Sequence, residues 1–426
     1  MLTLPRQVLV RQRLASHALA DPAREVTERL ARLSSEPWAG RRVAVGAGSR
    51  GIDRIAVVVG AVVRWLRAQG AEPFVIPAMG SHGGGTPEGQ RELLASYGIT
   101  ESTMGAPIRD DVTTRQLGET PSGIAVHAST VALDADAVVL INRVKPHTDF
   151  SSATLGSGLR KMCGIGLGKV TGATTCHLAA SRFGHERVIR EVAAVVASKL
   201  PRLYGVALVE DGTHHLAKVE ALRGSEFETR EPEMFTQAWA WMPSLPLPNV
   251  DVLVVDEIGK DISGCGMDTN IIGRGVDTMP MANRRASVRA IYARSLTPGS
   301  HGNAVGIGLA DVVSSRLVSQ MDRGVSYTNA LSAMTPATVR ISINFPTDAE
   351  CLQAVLRVAG VPPESATILR IRNTLALEHV VASEACLSAL ADRADVEPLG
   401  SPTDWPLDAA GNFDASADLL SGVHAS

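Results

Sequence analysis

The chain has 426 residues, which exceeds one typical hydrophobic core, and 45% of them are hydrophobic while 20% are charged, as in ordinary globular proteins. The formal net charge of −3 indicates no basic surface and argues against a nucleic-acid partner. No segment approaches the ~20 continuous apolar residues of a membrane helix, and the start of the chain lacks the pattern of a signal peptide. Five cysteines without a CxxC pair argue for reduced thiols and a cytoplasmic protein.

Short β-branched runs alternate with amphipathic stretches along the chain, which predicts an α/β fold with mostly parallel sheets. In chain order the predicted elements are a strand at 41–47, a helix at 53–69, strands at 72–78 and 136–142, a helix at 186–200, and strands at 203–211, 250–259, 339–345 and 366–373. A proline-rich stretch before residue 250 predicts a domain boundary. We therefore expect two α/β domains, at 1–245 and 246–400, followed by a surface tail at 401–426.

The segment from residue 142 to residue 177 follows a predicted strand and combines glycines with titratable side chains. Its histidines and lysines are His147, His177, Lys145, Lys161 and Lys169. Glycines let a backbone approach a ligand closely, lysines supply cations or nucleophilic amines, and imidazoles act as acid/base groups or metal ligands. This combination predicts an enzyme with a bound cofactor, placed just after the carboxyl end of a strand.

Two glycine-rich strings invite comparison with nucleotide sites. Gly46–Gly51 reads G-x-G-x-x-G between a strand and a helix, but the acidic residue expected about 20 residues later is missing. We favour the interpretation that this loop binds a phosphate or nucleotide group of another cofactor near Arg50, because the N-terminus of the following helix attracts anions. The string from Gly164 to Lys169 fails as a P-loop because Val170 stands where a Ser or Thr would bind magnesium.

A third glycine-rich loop carries His82, directly after the predicted strand at 72–78. Thr86 and Pro87 behind it are typical of a helix start. The glycines on both sides of His82 favour the interpretation that its ring faces a ligand. The alternative is a histidine in an ordinary surface turn.

These elements together resemble the lactate racemase family, whose members use a nickel-pincer nucleotide. The resemblance covers about the first 275 residues and rests on four pieces: AGSR at 47–50, GSHGG at 80–84, KPHTDF…GLRK from 145 to 161, and His177. It implies an N-terminal domain that binds the cofactor and carries the catalytic residues. It also implies a cleft for cofactor and substrate between the two domains.

The resemblance implies a role for each matching residue. Lys161 would tether the cofactor, His177 would bind its nickel, and His82 and His147 would act as alternating acid and base. Gly48, Ser49 and Arg50 would contact the cofactor, while Arg50 and Lys260 would bind the substrate carboxylate. The expected partners are a small hydroxy acid, the proteins that make the cofactor and, as one option, a second copy of this chain.

The sequence departs from the family pattern at two places. Ala47 stands where the family usually has aspartate, and the segment between His147 and Lys161 is longer, with its glycine pair altered to Gly156-Ser-Gly158. The predicted reaction is therefore inversion of a hydroxyl-bearing carbon in a 2-hydroxy acid or a related sugar acid by hydride transfer, without a commitment to lactate. The alternatives are an NAD-dependent oxidoreductase that uses Gly46–Gly51 and a non-catalytic homologue that binds a nucleotide or a metal.

Overall fold

The structure is a computed structural model that describes residues 4–33, 37–49, 51–200, 202–275 and 285–421. The chain divides into two compact units. The N-terminal unit comprises residues 15–147 and 152–242, and the C-terminal unit comprises residues 1–14, 148–151 and 243–426. The predicted first domain, residues 1–245, differs from the N-terminal unit in two places. In the structure, residues 1–14 and 148–151 group with the C-terminal unit.

The strands of the described residues are β1 (Gln7–Gln12), β2 (Arg42–Ala47), β3 (Glu72–Pro77), β4 (Thr114–Glu119), β5 (Ala125–Ser129), β6 (Ala137–Arg143), β7 (Leu203–Glu210), β8 (Leu216–Arg223), β9 (Asn249–Ile258), β10 (Ser287–Leu296), β11 (Val312–Ser314), β12 (Ile343–Phe345), β13 (Ile368–Ile371), β14 (His379–Ser383) and β15 (Val396–Pro398).

The α-helices are α1 (Pro22–Leu33), α2 (Ile55–Ala68), α3 (Pro87–Ser96), α4 (Glu101–Met104), α5 (Thr130–Leu133), α6 (Leu159–Lys161), α7 (Lys169–Phe183), α8 (His185–Lys199), α9 (Phe227–Trp241), α10 (Thr269–Ile272), α11 (Ser315–Gln320), α12 (Arg323–Ser332), α13 (Asp348–Ala359) and α14 (Leu387–Leu390). A π-helical turn at Met162–Gly166 follows α6 directly.

The N-terminal unit is built on a five-stranded sheet in the order β3-β2-β6-β7-β8. Its first four strands are parallel, and β8 is antiparallel to β7. Strands β2, β3 and β6 are buried along nearly their whole length, as strands covered on both faces must be. Helix α2 contributes to the core on one face, while α8 and α9 contribute to the core on the other.

The C-terminal unit holds an eight-stranded sheet in the order β12-β11-β10-β9-β13-β14-β1-β15. The strands from β12 to β13 are parallel, and the remaining pairs are antiparallel. The tail does not extend from the surface as predicted, because Trp405, Phe413 and Leu420 are buried. Trp405 Nε1 donates to the Pro5 carbonyl at 2.7 Å, and the Trp405 ring stacks on the ring of Phe413. The aromatic rings of the tail therefore belong to the core of the C-terminal unit.

The predicted α/β class with mostly parallel sheets is confirmed, while the expected cleft between the domains stays a prediction. The predicted strand at 339–345 is wrong over its first half, where a short 3₁₀ turn at Pro336–Val339 precedes the three-residue edge strand β12. Its alternating Ile341 and Ile343 are exposed, so they do not face the core. All five cysteines are free and buried, and none of the described helices is long and apolar enough to cross a membrane.

Candidate active site

Three loops of the N-terminal unit gather the predicted site residues at one edge of the sheet. Ser49 follows β2, His82 follows β3 and His147 follows β6. These strands are neighbours and parallel, and adjacent strands lie about 4.8 Å apart. Their carboxyl ends therefore bring the three loops together, at the edge where parallel α/β sheets bind ligands.

His82 is half-buried and is oriented by a serine from the neighbouring loop. The Ser49 Oγ lies 2.5 Å from His82 Nδ1. The hydroxyl can donate to an unprotonated Nδ1 or accept from a protonated one, so this contact is compatible with both charge states of the ring. The serine thus fixes the ring orientation while it leaves the imidazole able to exchange a proton.

The loop around His82 depends on glycine at particular positions. Gly80 has φ +62°, and a Cβ there would lie 3.0 Å from the carbonyl oxygen of Ile165. A Cβ on Gly83, whose φ is +63°, would lie 2.5 Å from the backbone of Gly89. The loop then enters α3, where the Thr86 side chain accepts from the Gly89 amide as the sequence predicts.

His147 lies beside the predicted tethering lysine. The Lys161 Nζ is 2.5 Å from His147 Nε2, and the histidine is only 9% exposed. Two protonated nitrogens cannot share a hydrogen bond, so one of the pair holds a lone pair toward the other. The structure thus brings together the predicted base and the predicted tether, which are 14 residues apart in sequence.

The backbone that carries Lys161 is held by a buried carboxylate. Glu231 on α9 accepts from the amides of Leu159 and Arg160, the first residues of α6. It also accepts from Arg160 Nε at 2.9 Å, and both side chains are almost fully buried. A Cβ on Gly158 would lie 2.8 Å from this carboxyl, so only glycine admits Glu231 there.

Both glycines of the altered pair, Gly156 and Gly158, lie where a side chain would clash with a neighbouring group. At Gly156, a Cβ would lie 2.1 Å from the Lys145 carbonyl oxygen. The amides and carbonyls of Lys145 and Ser157 pair at 2.8 and 3.1 Å. This pairing draws the long segment after His147 back against the end of β6, which places α6 and Lys161 at the sheet edge.

His177 lies in the middle of α7 and is half-buried. Its ring meets that of His185, the first residue of α8, edge to face with centroids 6.2 Å apart. The described residues include no group of three or more His, Cys, Asp or Glu side chains able to hold a metal ion.

The loop after β2 does not act as an open dinucleotide fingerprint. The Gly48 amide donates to the Ile141 carbonyl oxygen at 3.0 Å, and a Cβ on Gly48 would lie 2.5 Å from Asn142 Oδ1. Glycine at this position therefore allows close packing against the end of β6. The Glu210 carboxylate accepts from the Asp53 amide at 2.9 Å, just before α2. A carboxylate in that position competes with a pyrophosphate, which weighs against the NAD alternative. Arg50 lies outside the described residues.

Lys260 belongs to the C-terminal unit, in the loop after β9. Its Nζ donates to the Gly264 carbonyl at 2.6 Å, and its backbone amide donates to Ser300 Oγ at 2.8 Å. The side chain is half-buried within its own loop.

Three buried residues that support the site carry no prediction from the sequence: Arg160, Glu231 and Gln90. A fourth, Lys169, is among the lysines of the predicted segment, but its buried supporting position is not predicted. Gln90 and Lys169 lie behind the His82 loop, and Arg160 and Glu231 lie behind Lys161. The glycine string before Lys169 was a signal of close packing, but nothing local marked Glu231, which contacts residues about 70 positions earlier. A groove of about 780 Å³ between α8 and α9 has Arg160 in its lining, but not His82, His147, His177 or Lys161.

Comparison with known proteins agrees with the resemblance in the sequence. Residues 43–187, about a third of the chain, match the family described as the lactate racemase N-terminal domain. No curated protein matches the chain in sequence.

Two solved structures share the fold over nearly their whole length. The lactate racemase apoprotein from Thermoanaerobacterium thermosaccharolyticum matches with a TM-score of 0.53 and 14% identity, over 86% of this chain and 94% of that chain. A protein from Thermotoga maritima matches with a TM-score of 0.52 and 14% identity, over 86% of this chain and 99% of that chain. At this identity the likeness establishes the fold alone.

Proposed function

We propose that this chain, whose residues 43–187 match the lactate racemase N-terminal domain family, is a racemase or epimerase of 2-hydroxy acids or related sugar acids. The observation that carries the proposal is the gathering of His82, His147 and Lys161 behind neighbouring parallel strands, with His147 directly beside Lys161. One unit of one family thus holds two proton-transfer groups and a nucleophilic amine at a single sheet edge.

Inversion of a hydroxyl-bearing carbon needs a proton acceptor for each direction of the reaction. His82 and His147 would take these roles, because an imidazole gains and loses a proton near neutral pH. One ring removes the hydroxyl proton of one enantiomer, and the other ring supplies a proton when the opposite enantiomer forms. Ser49 would keep the His82 ring oriented through both steps.

The residues present fit a nickel-pincer nucleotide held by Lys161 and His177. Lys161 is a half-buried residue, whereas Lys169 nearby in sequence is 1% exposed, so Lys161 is the more accessible of the two lysines. Imidazole is a suitable nickel ligand, and a single histidine suffices when the organic group supplies the other ligands. When bound, the cofactor supplies a pyridinium ring that accepts and returns a hydride.

Attachment at Lys161 would also change the setting of His147. An amide-type nitrogen carries no positive charge, and it would replace the lysine amine that faces His147 Nε2 in the free chain. His147 would then be available to take the substrate proton. Gly48, Ser49 and Arg50 would contact the cofactor, and Arg50 and Lys260 would bind the substrate carboxylate, because cations pair well with carboxylates.

The test is to measure intact mass and nickel content together, on the full chain co-expressed with the proteins that make the cofactor. We expect a covalent adduct that maps to Lys161, about one nickel per chain, and interconversion of the two enantiomers of a 2-hydroxy acid. Absence of both adduct and nickel, in cells that load a known lactate racemase, would reject the proposed cofactor and with it this reaction. Binding of NAD(H) in that case would support the oxidoreductase alternative.

A further inference from the structure

Lys169 is a buried lysine that the proposed reaction does not use. It is 1% exposed, and it begins α7 after the glycine string at 164–168. Its Nζ donates to the Pro77 carbonyl at 2.6 Å and to Gln90 Oε1 at 3.2 Å, which are both neutral acceptors. Pro77 ends β3, the strand that leads into the His82 loop.

Keeping Lys169 in this position costs free energy in two ways. Burial lowers the pKa of its amine to about 8, against the opposing influence of the carboxylates Asp111 and Asp110. Its φ of +53° is also rare for a residue with a side chain. Costs of this kind persist where the surrounding structure requires the residue, and they concentrate at functional sites.

The chemistry of the lysine determines how Gln90 is oriented. An amine at the end of a lysine offers N–H donors, so it fixes the Gln90 carbonyl oxygen toward itself. The Gln90 NH₂ group is thereby turned toward the loop, where it donates to the Gly80 carbonyl at 2.8 Å and to the His82 carbonyl at 3.3 Å. Gln90 is fully buried, so water does not compete for these bonds.

We propose that Lys169 and Gln90 form a positioning pair that holds the His82 loop and thereby sets the placement of the His82 ring. This rests on the proposed function for the catalytic role of His82. The chain of contacts runs from the Lys169 amine through the Gln90 amide to the backbone of His82 itself. The strained loop, with left-handed glycines at 80 and 83, depends on this pair because its carbonyls bond to Gln90.

Gln90→Glu separates positioning from stability. The carboxylate keeps an acceptor for Lys169 and forms an ion pair with it, so the fold should remain intact. It loses the two N–H donors and faces the carbonyls of Gly80 and His82 with negative charge, so the loop should lose its hold. Lys169→Met removes the other half of the pair, and the exposed Lys199→Met is the matched control.

The experiment follows the histidine ring signals of the cofactor-free full chain by NMR across pH, with the His82 signal identified by its loss in His82→Gln. We expect Gln90→Glu and Lys169→Met to move the His82 titration midpoint by at least about half a pH unit and to leave that of His147 in place. In the loaded enzyme, kcat should fall about 10- to 100-fold while KM changes little. Lys199→Met should match the unsubstituted chain in both measurements.

The proposal is overturned if folded Gln90→Glu leaves the His82 signal and its midpoint unchanged. It is equally overturned if the His82 and His147 midpoints move together, because that indicates general loosening. If Lys169→Met does not fold, Gln90→Glu decides alone. The NMR measurement needs no cofactor, so it stands even where the loaded enzyme shows no racemase activity, and failure of the proposed function is recognised separately.

Discussion

Charged and polar side chains meet on neighbouring strands in both units, but they are used in opposite ways. In the C-terminal unit, two arginines of the parallel strands bind three aspartates around one phenylalanine ring: Arg294, Arg370, Asp256, Asp348, Asp418 and Phe413. In the N-terminal unit, His82 and His147 follow the strands, and each ring contacts a small polar group, a hydroxyl or an amine.

The two sets of side chains differ in the partners they bind, because the arginines bind ionised carboxylates whereas the histidines contact a hydroxyl or an amine. Arg370 makes two hydrogen bonds to Asp418 and further ones to Asp256, and its guanidinium stacks over Phe413 at 4.2 Å. Such a network of bidentate charge-assisted hydrogen bonds holds each carboxylate in its ionised form and stabilises the fold. His82 faces a hydroxyl and His147 faces an amine, and neither contact is restricted to one charge state of the ring, so each imidazole can exchange a proton as catalysis requires.

The largest expected effect tests the reactive side of this comparison. Lys161→Ala should abolish the covalent cofactor entirely and should leave the melting temperature within a few degrees, because Lys161 is only half-buried and Glu231 holds α6 through its backbone. Intact mass and thermal unfolding measure the two outcomes. Lys199→Ala, an exposed lysine on α8, is the control and should load normally. Retention of the adduct in Lys161→Ala would reject the assignment of the tether.

Substitution of the histidines should cost less than loss of the cofactor but should be severe. His82→Gln or His147→Gln should each lower kcat about 100- to 10,000-fold, the usual contribution of a positioned acid or base. Since one turnover uses both rings, the double variant should be little worse than the poorer single variant. His301→Asn, an exposed histidine of the C-terminal unit, is the control. Wild-type kcat in His82→Gln or in His147→Gln would remove that residue from the mechanism.

The meeting of the loops after β2, β3 and β6 at one end of the sheet was predictable from the sequence, because it depends on local signals. Buried strands at 41–47, 72–78 and 136–142 lead into glycine-rich loops, and parallel pairing then brings those loops to one edge. The cap at Thr86 was equally readable, since it acts three residues away. The proposed roles of the histidines and Lys161 came from the family resemblance and stay predictions.

The supports of the site were not predictable, because they join residues far apart in the chain. Gln90 meets Lys169 across 79 positions, and Arg160 meets Glu231 across 71. No periodicity records such a pairing, and Glu231 precedes Pro232 in what reads as an ordinary amphipathic helix. The C-terminal tail was misjudged for the same reason, because Asp418 reads as a surface residue until Arg370 is placed beside it.

The structural side of the comparison predicts a loss of stability without a chemical role. Arg370→Leu leaves Asp256 and Asp418 buried without their main partner, and this should lower the free energy of unfolding by about 3–5 kcal/mol. Urea unfolding at pH 7 measures the change. Arg24→Leu, which breaks the exposed pair with Glu28, is the matched control and should leave the free energy of unfolding nearly unchanged. A small effect of Arg370→Leu would show that the network can rearrange.

The smallest expected effect concerns acid stability of the same network. Burial raises the pKa of Asp348, but hydrogen bonds and charge from Arg294, together with Tyr292 and the Phe413 amide, overcome this and lower it to about 2. Below about pH 4 the carboxyl of Asp348 becomes protonated in the unfolded chain while it stays ionised in the folded one. The unfolded state therefore binds more protons, and the free energy of unfolding decreases as the pH is lowered. The loss of stability attributable to Asp348 between about pH 4 and pH 2 should be roughly 2 kcal/mol. Urea unfolding at pH 5 and pH 2.5 should therefore show a steeper decline in the unsubstituted chain than in Asp348→Asn, and parallel declines would mean that other carboxyls carry the acid sensitivity.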